Sequence, residues 1–203
     1  MPKLVGIFSY FKDLDKVSPA DISSWLRFKG DIHILANFIG NRIIYSQTVP
    51  INKLDLDIDM AILREVIKKT PEYFYLKKED KIIISKDLKE RFPPLSKLVT
   101  IIIETINPKG LITIHLKEGN NYQFLGTLIA PENIEGLFKG KQSVSVVVNG
   151  VATQLLKNSL SISGVNKVTM KIKIGDSKEI SVNGGQLGIV IDLRDKPQVT
   201  NNE

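Results

Sequence analysis

Near residue 190, three charged residues follow a short apolar run, and their types and order could support a reaction. Asp192, Arg194 and Asp195 place two carboxylates around a guanidinium, an arrangement that can serve acid–base chemistry. An Asp–Arg pair at the end of a strand more often orders a turn, and we expect that structural role here. The sequence therefore predicts no catalytic residue.

Other groups of residues that hold metals, nucleophiles or phosphates are missing from the sequence. There is no cysteine, which excludes thiolate nucleophiles and cysteine-ligated metals. His33 and His115 each fall in a strand-like pattern without a carboxylate cluster beside them. The run of Asp55, Asp57 and Asp59 lacks the glycine of a calcium loop, and helix capping and dipole matching explain it better. We expect no metal, no cofactor and no enzymatic activity.

A basic aromatic segment is the best candidate for a nucleic-acid-binding site. The 203-residue chain carries a net charge of +6, spread evenly as +3 over residues 1–96 and +3 over residues 97–203. Aromatic side chains can stack on bases while lysines neutralise phosphates. The candidate nucleic-acid contacts are Tyr73, Tyr75, Lys77, Lys78 and Lys81. Alternatively, these aromatics contribute to a small core beside an amphipathic helix.

The N-terminal part, residues 1–92, mixes helices and strands. Ser18-Pro19 predicts a short helix that ends at Gly30, and the apolar spacing predicts an amphipathic helix over residues 57–69. Residues 31–38 and 42–49 are predicted to form a hairpin around Gly40-Asn41. A second hairpin is predicted from strands at 73–76 and 81–84. The helix over 57–69 and the basic hairpin over 73–85 resemble the last helix and wing of a winged-helix unit.

After Pro93 and Pro94, which mark a predicted domain boundary, strands dominate the sequence. Nine strands are predicted, at residues 98–105, 111–117, 122–129, 143–148, 151–156, 159–163, 167–174, 179–182 and 187–192. The last of these has the pattern of a strand covered on both faces. We expect an α+β protein, mostly β, whose C-terminal domain, residues 97–197, is an antiparallel β-sandwich or a partly open barrel. Residues 198–203 are predicted to form a flexible tail.

Three segments of the C-terminal domain resemble a known family. They read NPKGLITIHL from residue 107, LGTLIAP from residue 125 and GGQLGIVIDLR from residue 184. In order and character they are similar to the C-terminal β-rich region of the glutamate mutase accessory protein L family, which pairs that region with an actin-like ATPase. The resemblance implies a β-domain that is a module or companion of such an ATPase, or a stand-alone relative that serves assembly. The ATPase motifs have no counterpart in residues 1–90, so ATP hydrolysis is not implied.

Together these observations predict a non-enzymatic binding or assembly protein that acts through protein–protein contacts of its β-domain. Its partner would be another protein or a second copy of the chain. The alternative is a nucleic-acid-binding protein that uses the helix over 57–69 and the basic hairpin over 73–85. No stretch has the pattern of a signal peptide or a membrane span, so we expect a cytoplasmic protein that does not bind membranes.

Overall fold

The computed structural model describes residues 4–7, 14–26, 30–70, 80–131, 138–139, 141–148, 151–163, 169–173 and 179–194. Within these ranges a 3-10 helix spans Leu14–Lys16, and the α-helices are α1 (Pro19–Trp25), α2 (Ile32–Ile44), α3 (Lys53–Lys68), α4 (Lys86–Arg91) and α5 (Leu95–Ile106). The strands are β1 (Leu4–Ile7), β2 (Lys81–Ser85), β3 (Gly110–Glu118), β4 (Asn121–Ala130), β5 (Ser143–Val148), β6 (Val151–Leu156), β7 (Leu160–Ser163), β8 (Thr169–Lys173), β9 (Glu179–Asn183) and β10 (Gly188–Asp192).

Six strands form one mixed sheet in the order β1-β2-β3-β4-β10-β7. The pairs β1–β2, β2–β3 and β4–β10 are parallel, whereas β3–β4 and β10–β7 are antiparallel. Among the described strands, β1 and β7 lie at opposite edges and do not pair with each other, so the sheet is not closed into a barrel. The α+β class is confirmed, and the purely antiparallel arrangement predicted for the C-terminal part is wrong, because β10 inserts beside β4 in parallel.

Parallel neighbours need a crossover, and the helices supply it. The chain passes through α1, α2 and α3 between β1 and β2, and through α4 and α5 between β2 and β3. Ile82 and Ile84 of β2 belong to the same buried cluster as the inner residues of α3 and α5. Ile83, which lies between them and points to the opposite face, is also buried but falls outside that cluster. The sheet is therefore covered on both faces at β2.

Two hairpins, β5–β6 and β8–β9, make up the rest of the described β structure. Thr127 of β4 alternates with the core residue Leu128 and so points away from the helical layer. Its hydroxyl donates to the carbonyl oxygen of Asn183 in β9 at 2.8 Å. The β8–β9 hairpin thus lies on the face of the sheet opposite the helices.

Two of the family-like segments meet where β4 pairs with β10. Gly126 pairs with Gly188, and a Cβ at Gly126 would lie 2.5 Å from the carbonyl oxygen of Gly188. Gly185 has φ +59°, and a Cβ there would lie 2.5 Å from the carbonyl oxygen of Leu125. The Leu187 amide also donates to that oxygen, at 2.6 Å. These glycines are needed for close backbone packing, which is a structural reason for the motifs.

The hairpin predicted around Gly40-Asn41 is wrong, because residues 32–44 form helix α2. Its buried positions, Leu35, Ile39 and Arg42, are spaced by four and three residues, which is helical spacing. The Asp31 carboxylate caps the helix by accepting from the His33 amide at 2.7 Å. His33 consequently lies in the first turn of a helix and not in a strand.

The strand predicted over residues 98–105 is also wrong, because this segment lies inside helix α5. Its continuous apolar run is compatible with a buried strand or a buried helix, and periodicity alone does not separate the two. Helix α5 ends at Asn107, which adopts the left-handed conformation with φ 54°. The other eight predicted strands are confirmed. The short helix after Ser18 is also confirmed, with the Ser18 hydroxyl accepting from the Asp21 amide, but it ends at Trp25 and not at Gly30.

The helix predicted over 57–69 is confirmed as α3, although it begins at Lys53. The winged-helix interpretation is wrong for a simple reason. A strand has two edges, and those of β2 are taken by β1 and β3, so β2 cannot also pair with a strand at 73–76. The predicted strand at 73–76 and the predicted tail at 198–203 lie outside the described residues. No helix in the described part of the chain is long and apolar enough to cross a membrane.

Strands from both sides of the predicted boundary at residues 92–97 belong to one sheet, because β2 pairs with β3 from Lys81 to Ser85. The division into domains 1–92 and 97–197 stays a prediction about which parts fold independently.

Candidate functional site

Helix α2 and the loop that follows it expose many apolar side chains. On α2, the side chains that are at least half exposed are Ile32, Ile34, Ile43 and Ile44. Beyond the helix, as far as the first turn of α3, they are Tyr45, Val49, Ile51 and Leu54. We call these eight residues the α2 surface. Ile44 is 70% exposed and Ile51 is 84% exposed, values that are unusual for isoleucine in a folded domain.

The α2 surface is nearly free of charge. Between Asp31 and Lys53 the sequence has no aspartate, glutamate or lysine, and its single arginine, Arg42, is buried. The chain as a whole is a quarter charged, so an uncharged stretch of this length is a departure from its average. Depletion of charge is typical of the centre of protein–protein interfaces.

A buried ionic cluster fixes α2 against the rest of the helical layer. Asp59 of α3 is fully buried, and its carboxylate accepts from Arg42 Nε at 3.0 Å and from Arg42 Nη2 at 3.1 Å. Arg91 of α4 donates to the same carboxylate at 3.2 Å. Three helices are therefore tied together at one buried group.

The same cluster also orients the start of the exposed loop. The second terminal nitrogen of Arg91 donates to the carbonyl oxygen of Ser46 at 3.2 Å, directly after α2 ends. The guanidinium of Arg42 lies 4.5 Å from the ring centre of Phe38, a cation–π contact on the inner side of α2. With its inner side held in this way, α2 presents Ile43 and Ile44 outward. The cluster acts mainly by fixing geometry, because burying charged groups offsets much of their mutual attraction.

The three aspartates of α3 have separate roles. Asp55 takes part in the capping that was predicted, because its amide donates to Asn52 at 2.8 Å and its carboxylate accepts from the Ile51 amide at 3.3 Å. Asp57 lines a groove described below. The prediction is wrong for Asp59, which is a buried ion-pair partner and not a capping residue.

A groove between α3 and α5, lined also by Trp25 of α1, is a second candidate site. Its volume is about 420 Å³, and it is lined by Trp25, Leu26, Lys53, Asp57, Met60, Arg64, Lys97, Thr100, Ile101 and Glu104. Lys53 and Lys97 are exposed, whereas Met60 and Ile101 are buried. Its size falls in the range of small-molecule sites, but its lining mixes both signs of charge.

The charged groups at one end of this groove bind one another. Arg64 donates to Glu104 at 2.8 Å, and Arg194 approaches the same carboxylate at 3.4 Å. Arg194 also donates to both oxygens of Asp192, at 2.9 and 3.0 Å. This pairing raises the pKa of Arg194 above its ordinary value. The Asp192–Arg194 pair therefore orders the turn after β10, as predicted, while Asp195 lies outside the described residues.

Trp25 stands beside this network on α1. Its indole nitrogen donates to the buried carboxylate of Glu65, and Arg64 lies 5.4 Å from its ring centre. These contacts hold the ring in place at the groove's edge. The side chains around it are thus paired with one another, and the arrangement favours a structural role.

Of the predicted nucleic-acid contacts, Lys81 lies in the described part of the chain and is half-buried at the start of β2. Tyr73, Tyr75, Lys77 and Lys78 lie outside the described residues, so this site stays a prediction.

His115 lies in β3, as predicted, and is partly buried. Burial lowers its pKa, and the positive charge of Lys81 lowers it further. Its ring is in edge contact with Phe124, with ring centres 5.6 Å apart. Among the described residues, no group of three or more His, Cys, Asp or Glu side chains could hold a metal ion.

Sequence reasoning missed both the α2 surface and the Arg42–Asp59–Arg91 cluster. Once residues 31–49 are interpreted as a hairpin, Ile32 and Ile34 share one face of a strand, as core residues do, and no isoleucine stands out as exposed. The available signal was the uncharged stretch between Asp31 and Lys53, together with the single arginine inside it.

No family model, curated protein or solved structure matches this chain. The resemblance of the C-terminal segments to the glutamate mutase accessory protein L family therefore stays a prediction.

Proposed function

We propose that this chain is a non-enzymatic binding or assembly protein that docks a protein partner on the α2 surface. The observation that carries the proposal is the exposure of eight large apolar side chains between Ile32 and Leu54, four of them on a helix whose inner side is firmly anchored. Monomeric proteins rarely expose contiguous apolar patches larger than a few hundred Å², and larger patches mark interaction sites.

The chemistry of the surface favours a protein over a nucleic acid as the partner. Nucleic acids are bound through lysine and arginine side chains that neutralise phosphates. The α2 surface has no such side chain, because its segment carries only the buried Arg42. A protein surface with an apolar centre and a polar rim is the complementary partner.

The proposal moves the contact from the β-domain, where the sequence suggested it, to the helical layer. Contacts made by the β-domain and a cytoplasmic location remain parts of the proposal that stem from the sequence. Nucleic-acid binding through Tyr73, Tyr75, Lys77, Lys78 and Lys81 remains the alternative.

The test is site-specific photo-crosslinking of the full chain in cells, with a photoreactive residue in place of Ile51. We expect an adduct of discrete mass, whose partner is then identified and purified. In calorimetry, that partner should bind the wild-type chain and fail to bind an Ile44→Lys variant. Leu156→Lys, which changes a similarly exposed residue on β6, is the matched control and should bind normally. A chain that gives no adduct at residue 51, or a partner that binds Ile44→Lys as well as wild type, would contradict the proposal.

A further inference from the structure

We propose that the partner on the α2 surface is a second copy of this chain, and that the two α2 helices cross close to Gly40 about a two-fold axis. This inference rests on the proposed function and names the occupant of that site. Three features of the described residues support it: the exposed area, the absence of charge, and the open space at Gly40.

The exposed area is that of a stable dimer. Ile34 lies about 160° round the helix from Ile32 and is left out of the sum. The other seven side chains of the α2 surface together expose on the order of 800 Å², and each partner in a standard-size interface contributes about 800 Å². The surface could therefore form the centre of such an interface without rearrangement of the fold.

The absence of charge suits contact between identical surfaces. In a two-fold interface each residue near the axis faces its own counterpart, so any charge there would face a like charge. The chain carries a net charge of +6, so two copies repel each other at long range. Contact through the uncharged stretch between Asp31 and Lys53 adds no like-charge pair to this repulsion.

Gly40 is the point at which the two α2 helices would cross. Glycine inside a helix is unfavourable compared with alanine, so its presence needs a reason. Packing within the chain does not provide one, because a Cβ built at Gly40 would meet nothing within 4 Å. Gly40 lies one turn after the exposed Ala36 and one turn before Ile43 and Ile44, so small side chains lie between the larger ones on one side of α2. Two helices can approach closely at such a place.

The absence of cysteine allows a direct test. A Gly40→Cys variant carries a single thiol, which can form a disulfide only with another copy, and only if the two Cα atoms come within about 7 Å. Under mild oxidation at micromolar concentration we expect a covalent dimer from Gly40→Cys. Leu156→Cys, the control on β6, should stay a monomer under the same conditions. No covalent dimer from Gly40→Cys, or equal amounts from both variants, would overturn the proposed crossing.

Sedimentation equilibrium tests the interface without a covalent bond. We expect the wild-type chain to dimerise and Leu156→Lys to dimerise equally well. Gly40→Leu, whose side chain extends into open space and so leaves the fold intact, should raise the dimer dissociation constant by about tenfold or more, as should Ile44→Lys. Circular dichroism confirms that both variants are folded. A wild-type chain that stays monomeric, or a dimer that neither variant weakens, would overturn the inference.

The crosslinking experiment on Ile51 separates this inference from the proposed function. An adduct with twice the mass of the chain supports both. An adduct with a different protein, whose binding Ile44→Lys abolishes, supports docking on the α2 surface and overturns the second copy as its occupant. No adduct contradicts both.

Discussion

The carboxylate of Asp59 accepts hydrogen bonds from Arg42 and Arg91 and is fully buried. Asp59→Asn removes the negative charge that both buried guanidinium groups contact. We expect Asp59→Asn to lower the free energy of unfolding by about 3 to 5 kcal/mol, as for other broken buried ion pairs. Urea unfolding followed by circular dichroism measures the change.

The matched control for Asp59→Asn is Glu104→Gln, which removes a carboxylate that pairs with Arg64 in a half-exposed position. This loss should be below about 1 kcal/mol, because surface ion pairs contribute little. If both variants lost the same free energy, the buried cluster would not be the anchor of α2.

His115 gives the protein a pH dependence of known sign. Its pKa is lowered in the folded state by burial and by Lys81, so the unfolded chain binds the proton more readily. The contribution of His115 to stability is complete above the unfolded pKa, about 6.5. It is lost as the pH falls from there through the lower folded pKa. We expect the urea midpoint of the wild-type chain to fall more between pH 7.5 and 5.5 than that of His115→Gln. A larger fall for the variant would contradict this sign.

At the level of elements, sequence patterns predicted most strands and two helices, did not find β1 and α4, and predicted strands where α2 and α5 lie. In both helices the sequence is rich in isoleucine, and isoleucine-rich segments resemble strands. In α2, Gly40-Asn41 also has the chemistry of a hairpin turn. In α2 the helical spacing of Leu35, Ile39 and Arg42 was obscured by the isoleucines on the exposed side. The isoleucines that obscured the helix also form part of the candidate site. The uncharged stretch between Asp31 and Lys53 could have indicated the site, but the exposure of these isoleucines could be recognised only once the helix was known.

Alanine substitutions at Gly126 and Gly119 should have very unequal effects on stability, because Gly126 packs directly against the backbone of β10 and the turn before it. Gly126→Ala places a Cβ 2.5 Å from the Gly188 carbonyl oxygen, so the backbones of β4 and β10 must separate. We expect a loss of at least about 3 kcal/mol, or no soluble folded protein.

The control is Gly119→Ala, in the β3–β4 turn. That glycine has φ +59°, but a Cβ there meets nothing within 4 Å. Only the left-handed backbone disfavours alanine at this position, at a cost of about 1 to 2 kcal/mol. Thermal and urea unfolding compare the two variants, and equal losses would show that the contact between β4 and β10 is not tight.

At the scale of the whole molecule, the continuous sheet predicts that the C-terminal part does not fold without the N-terminal part. The predicted domain 97–197 contains β3 but not β2, its neighbour in the sheet, nor the buried residues of α3. We expect a fragment of residues 97–203 to show poor chemical-shift dispersion in NMR spectra, in contrast to the full chain. A well-dispersed spectrum would instead support the two-domain division.

The salt dependence of binding distinguishes the nucleic-acid alternative from docking on the α2 surface. If the segment over 73–85 binds nucleic acid, affinity for a mixed-sequence probe should fall steeply with salt, and Lys77→Glu and Lys81→Glu should weaken it. If the α2 surface is the functional site, Ile44→Lys should abolish partner binding and those two lysine variants should not. Fluorescence anisotropy at two salt concentrations and calorimetry with the partner make the comparison.

The position of β10 in the sheet affects how the protein can be made. The chain emerges from the ribosome with its N-terminus first, so β3 and β4 emerge long before residues 188–192. Until then the edge of β4 that β10 will occupy has no native neighbour, because the partner strand is encoded some sixty residues later. An unpaired, apolar strand edge is prone to associate with other chains. Translation that ends between β4 and β10 would therefore release an aggregation-prone product. We expect the nascent chain to bind a chaperone during that interval.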